Sequence, residues 1–203
     1  MSGEGDFEVE VPDASEIIDG LFVGTAEAGI EATVGANCRQ IRYILNVGGC
    51  VTPAMFAAVA EALANAENGN DDGRGTKTLA WNNDQVYTQN GVVTLAMPMD
   101  DFGRTQLTEA FLQRCFDFIA AGLEEGRVLV HCRLGVNRSV TVAAAFLMRR
   151  NRFSADQALQ LLRERRPGAQ PNEAYCEQLR QMPQSWEDGQ VADAEYDAIA
   201  LAP

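Results

Sequence analysis

Arg127-Val-Leu-Val-His131-Cys132-Arg133-Leu134-Gly135-Val136-Asn137-Arg138-Ser139 is the stretch from which the fold of this 203-residue chain is read. Its first five residues read as a buried strand. The run from Val136 or Asn137 to Arg150 reads as a helix apolar on nearly every face. Between them, two residues break local expectation. Arg133 and Arg138 stand at or just before the helix N-terminus, where the macrodipole disfavours cations. Arg149, Arg150 and Arg152 occupy the opposite, favourable end and read as helix C-terminal charges. Cations at the wrong end make sense if an anion lies between them and the exposed amides. A loop of successive N–H groups ahead of a helix is such an anion nest, and Gly135 lets its backbone turn and approach closely.

A thiol in that nest changes character. Cys132 would face helix amides and the Arg138 guanidinium, both of which favour thiolate. Cysteines so placed have a pKa of about 3.5–7.5, against roughly 8.5 when free. The cradle that binds a phosphate would also make a nucleophile for it.

Working outward, Leu21 to Val23, Ile41 to Val47, Val92 to Ala96 and Val128 to Val130 are short, β-prone apolar runs. Pro53 opens an Ala-rich helix running to about Ala66, and residues 67–77 read as an exposed loop. Leu107 to Ile119 keeps a helical period that Gly126 ends. Ser154 with Gln157 is a capping-box pattern, and Pro167-Gly168 stops the helix it opens. Strands alternating with helices predict an α/β domain with a mostly parallel sheet flanked by helices. The expected organisation is a flexible acidic arm over 1–12, a catalytic domain over 13–183 and an acidic tail over 184–203.

Charge narrows the function. The formal net charge is −13, which argues against a nucleic-acid binder or stable membrane association. Nine of the sixteen basic residues nevertheless fall between Arg127 and Arg166, so a locally basic region sits inside an acidic chain. No apolar run approaches the roughly 18 residues of a membrane span. The N-terminus lacks a secretory pattern, and the five cysteines form no close pair. The expectation is a soluble, reduced protein of the cytoplasm, with the nucleus left open as a second compartment, and with no metal site. Cys50, just past the strand ending at Val47, is a candidate redox partner for Cys132; the other cysteines read as ordinary core.

At this point the motif resembles the Cys-x5-Arg pattern of the protein tyrosine phosphatase superfamily. Residues 14–24, Tyr43 to Val47 and Arg166 to Tyr175 further resemble its small, single-domain, atypical dual-specificity branch. The resemblance implies a protein tyrosine phosphatase-like fold and metal-independent hydrolysis of phosphotyrosine and phosphoserine or phosphothreonine. It needs no cofactor. The implied partner is a phosphorylated protein, a kinase among the candidates.

The resemblance also assigns roles. Cys132 attacks phosphorus, Arg138 clamps two phosphate oxygens, and Ser139 hydrogen-bonds the departing sulfur. Arg133, Leu134, Gly135, Val136 and Asn137 complete the phosphate loop. His131 braces that loop without touching substrate. Apart from the resemblance, Asn172 after Pro171 reads as a helix cap that helps position the loop indirectly. The general acid falls in Met97-Pro-Met-Asp100-Asp101; Asp101 matches the family pattern better, and Asp100 stays open. Asn137 departs from the Ser usual in the family. Two other readings remain: the same chemistry on a phosphoinositide or an RNA 5′-phosphate, and a non-catalytic phospho-residue binding module.

Overall fold

Strand propensity and strand pairing agree in the computed structural model, which describes residues 13–49 and 86–182. The Pro53 helix, the 67–77 loop, both acidic termini and Cys50 lie outside the described residues. Six strands form one sheet in the order β1-β2-β6-β3-β5-β4. They are β1 (Ala14–Ile18), β2 (Leu21–Gly24), β3 (Ile41–Asn46), β4 (Val86–Gln89), β5 (Val92–Ala96) and β6 (Arg127–His131). The inner pairs β2–β6, β6–β3 and β3–β5 are parallel, and the two edge pairs are antiparallel hairpins. The mostly parallel sheet expected from the sequence is therefore present.

Strands β1 and β4 and the helix α1 (Ala26–Val34) are present beyond the runs expected from the sequence. The β4–β5 turn carried a signal: Asn90-Gly91 has both residues at positive φ (51° and 78°), the geometry a two-residue hairpin favours. Helix α1 starts at Thr25, whose side chain accepts from the Ala28 amide.

Helices cover both faces. The alternation of β2, β3 and β6 sends Phe22, Ile44 and Leu129 to one face, with Ala28 and Ala32 of α1. Leu21, Val23, Tyr43, Leu45, Val128 and Val130 go to the other, larger core. There α2 (Glu109–Glu125), α3 (Arg138–Asn151), α4 (Ala155–Arg165) and α5 (Glu173–Gln181) pack. Helix α3 is buried from Arg138 to Leu147, and its consecutive alanines at 143–145 are fully covered, which lets neighbours approach its backbone closely. It begins at Arg138 because Asn137 leaves helical geometry (φ −113°, ψ −83°). The Ser154–Gln157 capping box forms as expected. One expectation fails: Cys38 is exposed, whereas Cys115 and Cys176 are buried.

Parallel strands converge at their carboxyl ends, where α/β proteins bind ligands. Asn46 of β3 pairs with His131 of β6 and with Ala96 of β5. Beyond the strands the pairing continues: the Val47 amide donates to His131 O, and the Met99 amide to Val47 O. Chain from β3, β5 and β6 thus meets at one edge.

Candidate active site

The loop after β6 is shaped by where its carbonyls go. Four successive carbonyl oxygens are each taken by a donor outside the loop. Arg133 O accepts from the Ala26 amide (3.1 Å) and Val136 O from the Gln170 amide (2.9 Å). Leu134 O and Gly135 O accept from Nη2 and Nε of Arg166, at 3.3 and 2.7 Å. With the carbonyls drawn outward, the amides of Gly135 and Ser139 turn inward onto the Cys132 sulfur. Gly135 is at φ +68°, and a Cβ there would come within 2.6 Å of Gly24 backbone and Arg166 Nη2. A Cβ at Gly48 would come within 2.8 Å of Cys132 Cα. Only glycine fits at either place.

Inside this ring Cys132 is 2% exposed, and its Sγ lies 3.3 Å from Ser139 Oγ. Burial pushes the thiol pKa up. The Ser139 hydroxyl, the inward amides and the Arg138 guanidinium outweigh it and hold the thiol below its ordinary value. Arg138 is itself buried; Nη1 donates to Gly48 O at 2.8 Å and to Met99 O at 3.4 Å. Those two carbonyls fix the guanidinium's orientation. His131 is also buried, with Nδ1 3.1 Å from Cys132 O and Nε2 facing Gly29 of α1. Burial pushes its pKa down to about 4, so the ring is neutral. It sits behind the loop, away from the pocket mouth.

The two aspartates have different surroundings. The Asp100 carboxylate is used in its own turn, accepting from the Phe102 and Arg104 amides (2.7 and 3.1 Å) and from Arg104 Nε (3.1 Å). Slight desolvation raises its pKa, but these donors lower it below the usual carboxylate range. The Asp101 carboxylate is half-exposed and forms an ion pair with Arg138 Nε at 2.9 Å. Asn137 Nδ2 donates to Asp101 Oδ1 and to Asp101 O, both at 3.0 Å. Asn172 caps α5 as expected, accepting from the Tyr175 amide at 2.9 Å. Its Nδ2 also donates to Asp101 O at 3.0 Å. Tyr175 Oη donates to Asp100 O at 2.6 Å, so α5 grips this segment at both aspartates.

Exposed side chains on the loop and on the segment after Asp101 are Arg133, Leu134 (64% exposed) and Phe102 (75% exposed), with Arg104 stacked 5.1 Å over the Phe102 ring. Arg149 donates to Gln113 Oε1 and lies over Phe116, and Arg150 lies over Phe146, in keeping with structural duty at the end of α3.

Arg166 holds the loop although its local sequence gives it no functional signal. It is 1% exposed and also donates from Nη1 to Ser15 Oγ at 3.2 Å. Nothing local distinguishes it in the run from Arg163 to Arg166, where it looks like one more helix C-terminal cation. No helix of the described residues is long and apolar enough to cross a membrane.

Comparison with known proteins bears on this arrangement. Residues 75–185 match the family model for the dual specificity phosphatase catalytic domain. Dual specificity protein phosphatase 1B of Arabidopsis thaliana is 30% identical over 175 residues, covering 85% of this chain and 83% of that one. Dual specificity protein phosphatase 1 of the same plant is 41% identical over 86 residues, and the match spans only 42% of each protein. Among solved structures, the Yvh1 phosphatase domain of Chaetomium thermophilum superposes with a TM-score of 0.58 at 26% identity, over 82% of this chain and 93% of that one.

Proposed function

The chain belongs to the dual specificity phosphatases, and from that premise we propose that it hydrolyses phosphorylated protein side chains at Cys132 through a phosphocysteine intermediate. The observation that carries this is the carbonyl-pinned loop, whose amides, with the Ser139 hydroxyl and Arg138, converge on one buried sulfur. The catalytic domain in this reading covers residues 13–183.

The Cys132 thiolate attacks phosphorus as the bond to the substrate oxygen breaks. Arg138 binds two of the phosphoryl oxygens and stabilises the charge that spreads over them. Asp101 gives its proton to the departing oxygen. Water then attacks the phosphocysteine, Asp101 takes the proton back, and the P–S bond breaks. Ser139 donates a hydrogen bond to the leaving sulfur, and inorganic phosphate departs. Asp101 is preferred to Asp100 because its carboxylate lies over the loop beside Arg138, whereas the Asp100 carboxylate turns back onto Phe102 and Arg104 in its own turn. His131 and Asn172 support the loop from behind and from α5. The rim of Arg133, Leu134, Phe102 and Arg104 suits a phosphorylated protein segment, a kinase loop among the candidates, in cytoplasm or nucleus.

Hydrolysis of p-nitrophenyl phosphate, with EDTA and reducing agent present, tests the reading. Turnover should survive EDTA and vanish in Cys132→Ser, and phosphotyrosine and phosphothreonine peptides should both be cleaved. A folded, reduced wild type without turnover would overturn it; tight phosphopeptide binding by that protein would mark a binding module instead.

A further inference from the structure

We propose that Asn137 is a positioning residue for the general acid, clasping the Asp101 carboxyl to the phosphate loop independently of Arg138. The inference rests on the reading of Asp101 as that acid. Asn is among the best helix N-caps, and Asn137 stands at the N-cap of α3, yet its side chain makes no cap hydrogen bond there. It turns instead to the neighbouring segments. Nδ2 donates to Asp101 Oδ1 and Asp101 O, and Oδ1 accepts from the Asn172 amide at 2.9 Å. Asn172 closes the ring through its own donation to Asp101 O. Three segments far apart in sequence are tied together by one carboxamide.

The tie matters because Arg138 has two claimants. A bound phosphate takes the guanidinium face on which the Asp101 carboxylate now rests. Among the described residues, the side chain of Asp101 is held by Arg138 and Asn137. Once substrate takes Arg138, Asn137 is the contact that keeps the acid near the leaving oxygen. The Ser usual at this position has a single hydroxyl proton and cannot make both donations that Asn137 Nδ2 makes to Asp101. Leaving the first-turn amides of α3 uncapped also keeps them available to the phosphate.

The test compares kcat/KM for phenyl phosphate, a poor leaving group, with that for p-nitrophenyl phosphate, alongside inhibition by inorganic phosphate. The proteins are wild type, Asn137→Ala, Asn137→Ser, Asp101→Asn and the Asn137→Ala/Asp101→Asn pair. Both Asn137 variants should lose about ten-fold on phenyl phosphate and less than about three-fold on p-nitrophenyl phosphate, since a misplaced group costs most where it acts. Phosphate inhibition should stay within about three-fold, and Asn137→Ala should add almost nothing in the Asp101→Asn background. Equal losses on both substrates, weakened phosphate inhibition, or a full further loss in the Asp101→Asn background would overturn the proposal. Should Asn137→Ala fold poorly, Asn137→Ser carries the same comparison. A leaving-group effect in Asp101→Asn with none in either Asn137 variant sinks the clasp alone; no such effect in Asp101→Asn sinks the acid assignment and the clasp with it.

Discussion

Arg166 Nε lies 2.7 Å from the carbonyl oxygen of Gly135, so a fully buried guanidinium holds the phosphate loop from behind. Its fork fits two adjacent carbonyls, which a point charge cannot match. Arg166→Met would leave those carbonyls buried and unpaired, at about 1–3 kcal/mol each. Inhibition by inorganic phosphate and kcat/KM should both weaken by at least about ten-fold, with Arg166→Lys recovering only part. If Arg166→Met lowers the urea midpoint but leaves phosphate inhibition intact, the residue is a strut and does not shape the site.

The contrast between the two aspartates predicts two different variants. Asp101→Asn should lower kcat about 10²-fold or more on a poor leaving group and much less on an activated aryl phosphate. Asp100→Asn should weaken the turn over residues 100–104, with similar effects on both substrates. The reverse pattern would move the acid role to Asp100.

Ser139 bears on the thiol directly. Burial raises the Cys132 pKa, and the Ser139 hydroxyl is foremost among the groups that bring it below the ordinary value. Removing that donor in Ser139→Ala should move the pKa back up, since the hydroxyl's hydrogen bond favours the charged thiolate. Iodoacetate alkylation of Cys132 against pH, followed on its peptide, reads this out. Below the wild-type pKa the variant should react about ten-fold more slowly, the rate equivalent of losing a hydrogen bond to a charged group, and overlapping profiles would contradict the assignment.

His131 makes stability depend on pH. Its folded pKa, about 4, lies below the ordinary 6.5, so between these values the unfolded chain binds the extra proton. The contribution is present above pH 6.5 and lost as pH falls toward 4, amounting to about 2 kcal/mol between pH 7 and pH 5. Urea unfolding at the two pH values should show that loss in wild type and a smaller one in His131→Gln. Equal losses would mean the ring does not carry the effect.

What the sequence reveals follows from the range of each signal. The β6–loop–α3 unit is contiguous, and its chemistry is written in eight neighbouring residues, so it was legible. The inner strands are legible because both faces are largely buried and each holds a short, mostly apolar run. The edge strands β1 and β4 carry polar residues among few apolar ones (Ser15 and Glu16; Thr88 and Gln89), and α1 is nine residues long with Gly29 inside it, so their local signals are weak. Arg166 and the Asn137 clasp are tertiary facts. A buried arginine and an exposed one look alike in sequence, and the Asn137 contacts join segments 35 and 36 residues away.

The position of β6 between two parallel partners has a kinetic consequence. Its amides sit in the middle of the sheet, so their hydrogens should exchange with solvent only through global opening of the fold. The strand that ends at the nucleophile then belongs to the last unit to melt. On heating, loss of activity should coincide with loss of the whole structure, while the exposed rim at Phe102 and Leu134 remains free to change with little consequence for the fold. Substrate preference can then drift at the mouth of a site whose floor the fold itself protects.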